Sequence, residues 1–306
     1  MRVVFFGTPD FAVPSLRALT GEGFDVVAVV TQPDKPTGRS RSHVEPPAVK
    51  LAAQAEGVPV LQPERPVGES FHDTVRELEP DVGVVVAYGH ILKPELLAIP
   101  KRGMVNVHPS LLPQLRGAAP VEWAIMHGLE KTGVTIMLMD EGLDSGPILH
   151  QIPERIEDET GGELSAHLAE IGAQALIEAL AMWEQDALRP VPQHHERATY
   201  APKLTRELAR LNWTEPAEVI ARKIRALDPK PGAWAELERQ EVKLFGATAQ
   251  DAHGPPGAVL TAGDVLLVAA GSGAVALQEV QPAGKPRMTA ADWIRGRGAR
   301  AGQRFT

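Results

Sequence analysis

Through the first 185 residues, short apolar runs alternate with stretches of helical spacing. Residues 2–7 form a near-continuous apolar run ending in Gly-Thr-Pro-Asp, the pattern of a buried strand entering a helix. Phe11, Ala12, Leu16 and Leu19 mark that helix, and Gly21 and Gly23 close it. Further buried strands are predicted over 25–31, 58–61, 81–87, 103–108, 133–140 and 148–156. Helices are predicted over 47–56, 68–78 and 121–127, and a capping box at Thr160 and Glu163 opens one that runs to about Trp183. This alternation predicts an α/β domain with a doubly wound, mostly parallel, Rossmann-like sheet.

The periodicity lapses over 186–205 and a different pattern follows. One helix is evident at 214–227, then five short strands at 234–237, 241–248, 257–261, 265–269 and 275–282. Gly271-Ser272-Gly273 reads as a hairpin turn between the last two. Many short strands in a small span predict a C-terminal OB-like β-barrel, followed by a short helix at 290–296. The expected organisation is a catalytic domain over 1–189, a linker over 190–206 and a second domain over 207–306.

Composition narrows the chemistry. The 306 residues include no cysteine, which excludes disulfides, thiolate zinc sites and a cysteine nucleophile. His194 and His195 read as a solvated linker pair, and no metal site is expected. The formal net charge of −8 argues against a general nucleic-acid binder. It is unevenly spread, with 18 basic against 28 acidic residues over 1–206 and 13 against 11 over 207–306. The C-terminal third therefore permits RNA contact without demanding it. The opening Met-Arg-Val-Val-Phe-Phe-Gly is too soon interrupted for a signal peptide, and no apolar run approaches a membrane span, so a cytoplasmic protein is expected.

Gly7 stands alone after the first strand; without Gly-x-Gly-x-x-Gly, dinucleotide binding is a poor reading. Asn106 and His108, two apart on a strand, point to the same face at its C-terminal end, where open α/β sheets keep their ligands. A carboxamide and an imidazole there could steady a carbonyl oxygen as it gains charge. Asp144, in a glycine-flanked loop, could reach His108 and favour the imidazolium by raising its pKa. The trio fits acyl transfer to an amine supplied by a substrate. The residues leave open whether His108 acts as a charged donor or a neutral base, and whether Asn106 and His108 are merely a turn residue and a satisfied strand-end histidine. Tyr88, Ile91 and Leu92 follow another strand end. Residues 32–43 hold Lys35, Arg39 and Arg41 with two prolines and a glycine, and read as a mobile, anion-facing surface loop.

Several motifs run in order along the chain: Gly7-Thr8-Pro9-Asp10-Phe11, Thr31-Gln32-Pro33-Asp34, Val85-Val86-Ala87-Tyr88-Gly89, Asn106-Val107-His108, Ser110-Leu111-Leu112-Pro113, Arg116-Gly117-Ala118-Ala119-Pro120, Asp140-Glu141-Gly142-Leu143-Asp144-Ser145-Gly146 and Gln281-Pro282-Ala283-Gly284-Lys285. Each is modest alone; the ordered set resembles the methionyl-tRNA formyltransferase family over nearly the whole chain. The resemblance implies formyl transfer from 10-formyltetrahydrofolate, as co-substrate, to the methionine amine of initiator Met-tRNA. It implies catalytic roles for Asn106, His108 and Asp144, and folate contacts at Ser110, Leu111, Leu112 and Pro113, to which Tyr88, Ile91 and Leu92 are added as candidates. It also implies tRNA contact through the loop at 32–43, with Arg39 central and Lys35 and Arg41 beside it. A monomer without membrane contact is expected. The chain departs from the family at Arg39-Ser40-Arg41-Ser42-His43, where relatives carry more glycine and lysine, and at Pro109 and Asp228-Pro229-Lys230-Pro231. Formyltransferases acting on small nucleotides could share the trio, but they need only the first domain. A non-catalytic RNA-binding module would need no folate.

Overall fold

In the computed structural model, residues 1–37 and 43–306 are described. The chain divides into two compact units, one of residues 1–117, 131–155 and 165–200, the other of residues 118–130, 156–164 and 201–306. In the first unit, β1 (Arg2–Gly7), α1 (Val13–Gly21) and β2 (Asp25–Val30) follow the predicted strand–helix–strand start. A short antiparallel ribbon comes next, β3 (Lys35–Thr37) against β4 (His43–Glu45), where sequence reading expected an irregular loop. Then come α2 (Ala48–Ala55), β5 (Val60–Leu61), α3 (Glu69–Glu77), β6 (Val82–Val86), α4 (Pro94–Leu97), β7 (Met104–His108) and β8 (Arg116–Gly117). After α5 (Pro120–Met126), which belongs to the second unit, β9 (Lys131–Leu138) and β10 (Ile148–Arg155) complete the sheet.

The seven strands lie in the order β10-β9-β7-β6-β1-β2-β5. Five of them, β7 to β5 across the middle and one edge, are parallel. Strands β7 and β9 are antiparallel, as are β9 and β10. The sheet is thus mixed but mostly parallel, as the strand–helix alternation predicts, with its two antiparallel pairings at one edge. A parallel return needs a crossover of a dozen or more residues, generally helical. Only residues 139–147 join β9 to β10, too few for one. Every residue of β6 and all but the first of β1 are buried, as expected of strands covered on both faces.

The capping box at the start of α6 (Gly161–Glu184) forms as predicted: the Glu163 amide donates to Thr160 Oγ1 at 3.2 Å, and the Thr160 amide to Glu163 Oε2 at 2.9 Å. Beyond β11 (Tyr200–Ala201) and α7 (Arg206–Ala209), the second unit holds α8 (Ala217–Ala226). Its strands are β12 (Ala233–Leu237), β13 (Gln240–Gln250), β14 (Val259–Ala262), β15 (Leu266–Ala269), β16 (Ala274–Pro282) and β17 (Met288–Thr289), before α9 (Ala290–Arg295). They form one antiparallel sheet in the order β12-β13-β16-β15-β14, with β17 on β16. The turn at 271–273 joins β15 to β16, as its glycines predicted. Trp213, Ile220, Ile224, Leu244, Val268 and Phe305 share its core. Among the described residues the sheet is not a closed ring. The last residues do bond to both flanks: the Thr306 amide reaches Glu236 O and the Phe305 amide reaches Gly257 O, each at 2.8 Å. Among the described residues no helix is long and apolar enough to cross a membrane.

Candidate formyl-transfer site

Period-two alternation on β7 puts Asn106 and His108 on one face, as expected. Their neighbours across the ladder are Met137 and Thr135 of β9. The antiparallel sense of β9 matters here, because its C-terminal end lies beside the start of β7 and not beside His108. The loop at 139–147 nonetheless returns Asp144 to His108, with Oδ2 3.8 Å from Nδ1. Asp144 holds φ = +48°, a left-handed conformation uncommon for a residue other than glycine. Its Oδ2 accepts from the Gly117 amide at 2.8 Å. At Gly146 any Cβ would collide with the Leu138 carbonyl oxygen, so glycine is needed for the loop to lie against β9.

His108 is only 4 % exposed. Its Nε2 lies 3.0 Å from the Leu115 carbonyl oxygen. A carbonyl can only accept, so Nε2 carries the hydrogen and the neutral ring keeps its lone pair on Nδ1, facing Asp144. Burial lowers the His108 pKa from its ordinary value; the Asp144 charge and the Leu115 bond push the other way but do not overcome it. The sequence-based expectation that Asp144 would raise the pKa therefore captured one contribution and missed the larger one. The imidazole is held neutral, with a basic nitrogen turned toward a carboxylate.

Asn106 is half-buried, and among the described residues its carboxamide has no hydrogen-bond partner. That leaves it free for a ligand oxygen. The Ser110–Pro113 turn rests on a buried hydroxyl: Thr135 Oγ1 donates to Ser110 O at 2.6 Å and accepts from the Leu112 amide and Gln151 Nε2. Ser110 spends its own hydroxyl on Gln114 O, and Leu112 is buried, so Leu111 and Pro113 present what surface this turn has. Tyr88 packs in the core with its ring edge-on to Phe6, and burial pushes its phenol up to about 12. Leu92 is also core, whereas Ile91 is 86 % exposed. An open cleft of about 660 Å³ beside Ile91 is lined by Arg65, His72, His90 and Lys93 but includes none of the trio. Free Asn106 and neutral His108 suit a ligand with a carbonyl oxygen, and Leu143, next to Asp144 in the loop, is exposed.

Lys35 is exposed and donates to Gln32 Oε1 at 2.6 Å. Arg39 and Arg41 lie outside the described residues. Two groups that sequence reading did not single out adjoin Asp144. Arg116, 4 % exposed, donates to Gln193 Oε1, and Gln193 Nε2 donates to the carbonyls of Asp144 and Gly146. Arg116 lies within a motif already noted. Gln193, between a proline and two histidines, carries no signal of burial. His195 Nδ1 lies 3.1 Å from Arg116 Nη2, and among the described residues no group of three metal-ligating side chains occurs.

A free carboxamide, a neutral imidazole and a carboxylate gathered at one strand end are the groups that transfer of an acyl unit to an amine calls for. The chain belongs to the formyl transferase family: its model matches residues 1–180, and the model of the family's C-terminal domain matches 203–298. Over 297 residues the chain is 48 % identical to the methionyl-tRNA formyltransferase of Myxococcus xanthus, covering 96 % of this chain and 95 % of that one. It is 45 % identical to that of Bacillus licheniformis, covering 99 % and 98 %. Among solved structures, an N-formyltransferase of Helicobacter canadensis in complex with folinic acid and dTDP-3-aminofucose shares the fold at TM-score 0.68 and 16 % identity, covering 90 % of this chain and 98 % of that one. HypX of Aquifex aeolicus in complex with tetrahydrofolic acid shares it at 0.66 and 21 %, covering 96 % of this chain, which spans only 47 % of HypX.

Proposed function

We propose that this enzyme transfers the formyl group of 10-formyltetrahydrofolate to the α-amino group of methionine on initiator Met-tRNA, for translation initiation. Near-full-length identity of 45–48 % to methionyl-tRNA formyltransferases supports the reaction. The observation that carries the mechanism is the tautomer of His108, with Nε2 committed to Leu115 O and Nδ1 free beside Asp144.

The folate supplies the activated formyl carbon. Asn106 donates from its carboxamide to the formyl oxygen as negative charge grows there. The α-amino group has a pKa of about 8 and is partly neutral at working pH, so it needs little activation. His108 Nδ1 takes the proton that the amine sheds on attacking the carbon, and Asp144 stabilises the imidazolium so formed. Collapse of the tetrahedral adduct then breaks the bond from that carbon to the folate nitrogen, which accepts the proton from His108 and leaves as tetrahydrofolate. His108 is thus read as a base, not as a standing cation. Exposed Ile91 and half-buried Leu111 and Pro113 offer apolar surface to the pterin. Tyr88, Ser110, Leu112 and Leu92 are read as the supports behind that surface.

In this reading residues 1–189 carry catalysis, and 190–206 are a linker whose residues 190–200 belong to the first unit. Residues 207–306, in the unit that also holds 118–130 and 156–164, face the tRNA as an OB-like barrel. The gap between the two family matches, 181–202, supports the division. The last residues, bonded to Glu236 on one flank and Gly257 on the other, support the barrel reading. Lys35, Arg39 and Arg41 are proposed to meet the tRNA backbone. One chain carries the whole trio, which supports action as a monomer, and the place of action is the cytoplasm. Incubation with 10-formyltetrahydrofolate and charged initiator or elongator Met-tRNA tests the reading. Formylmethionine on the initiator species is expected; none on either species would refute it.

A further inference from the structure

We propose that Gln193 is a positioning residue of the formyl-transfer site, latching the Asp144 loop so that its carboxylate stays beside His108. The proposal rests on the reading of Asn106, His108 and Asp144 as the reacting trio. A carboxamide has one end that only accepts and one that only donates. Arg116 Nε and Nη2 approach Gln193 Oε1 at 3.2 and 2.6 Å, which settles the orientation of the group. Its Nε2 must then face the loop, where it reaches Asp144 O at 3.0 Å and Gly146 O at 2.7 Å.

Asp144 is gripped from both sides. Its carbonyl is held by Gln193, and its Oδ2 by the amide of Gly117, the neighbour of the same Arg116 that orients Gln193. Arg116, Gln193, Asp144 and Gly117 therefore close a ring. Such restraint has a purpose, because a non-glycine residue at φ = +48° sits in a sparsely populated conformation that persists only when its surroundings enforce it. Gln193 is itself held close by an antiparallel bridge between Val191 and Ile148, with both amide–carbonyl distances 2.8 Å. Gln193 and Arg116 are 6 % and 4 % exposed, so water does not readily replace a lost bond.

Two variants separate this role from plain structural support. Gln193→Glu keeps the oxygen that Arg116 needs but sets a second acceptor against the two loop carbonyls. Gln193→Met keeps the bulk, stays neutral and removes both sets of bonds. Both should lower kcat for formyl transfer about 10- to 100-fold, the cost of a small misplacement of a catalytic group. The KM for each substrate should stay within about two-fold, because no substrate contact is removed. In Gln193→Met, without substrates, NMR titration of the His108 imidazole should move to lower pH as the Asp144 carboxylate withdraws. Wild-type kcat in Gln193→Glu, or an unmoved His108 titration in folded Gln193→Met, would overturn the proposal. Absence of formylation by the wild-type protein would instead reject the assigned reaction, and the titration would still test the latch.

Discussion

Asp144→Asn removes a charge and little else. The carboxamide that replaces the carboxylate still offers an oxygen to the Gly117 amide, so the bond that positions the side chain can survive. What disappears is the attraction between Asp144 and a protonated His108. At 3.8 Å, with an effective dielectric of about 20, a pair of unit charges attracts by about 4 kcal/mol. That attraction exists only once Nδ1 has taken the amine's proton, so its loss falls on the transition state, where 4 kcal/mol is about 10³ in rate. Asp144 is 16 % exposed, and water replaces part of the lost charge, which leaves an expected fall in kcat of about 10²–10³. The pH dependence has a definite sign. Burial holds the His108 pKa below its ordinary value of about 6.5, so the His108 break in the acid limb of the wild-type profile should lie below that pH, beneath the break from the attacking amine. The Asp144 charge opposes the burial; without it the pKa drops further, and the His108 break moves to still lower pH. Formylation of charged initiator tRNA, followed against pH at saturating co-substrate, reads both quantities. A His108 break that stays in place, or a loss of rate below about five-fold, would refute the coupling of the two groups.

Two further tests reach other parts of the site. Asn106→Ala should lower kcat by about 10²–10³ while leaving the KM for tRNA nearly unchanged, since the carboxamide is read as touching only the formyl oxygen; a change confined to KM would contradict that role. Thr135→Val removes a buried hydroxyl that serves two donors and one acceptor beneath the Ser110–Pro113 turn. It should destabilise the protein by about 1–3 kcal/mol, read as a lower urea midpoint with an unchanged slope; an unaltered midpoint would mean that the turn is held by other means.

Local pattern reached far into this fold. The buried runs at β1, β2, β6 and β7, the capping box at Thr160 and the five main strands of the second unit stand near their predicted positions, because burial periodicity and capping are properties of neighbouring residues. The shared face of Asn106 and His108 was legible for the same reason, as strand geometry alone orients side chains two apart. The proximity of Asp144 was legible too. β9 runs antiparallel to β7, and it is the loop after β9 that folds back to bring Asp144 beside His108.

What escaped local pattern depends on groups distant in the chain. Nothing near Gln193 marks it for burial; it is buried because the Val191–Ile148 bridge and the Arg116 guanidinium enclose it. Tyr88 looks like a ligand contact at a strand end, yet Phe6 of another strand claims its ring. The state of His108 is the sharpest case. Its partner Asp144 could be proposed from the order of residues, and a carboxylate alone argues for a cation. The desolvation that makes the ring neutral is a sum over everything packed around it, and that sum exists only once the chain has closed upon itself.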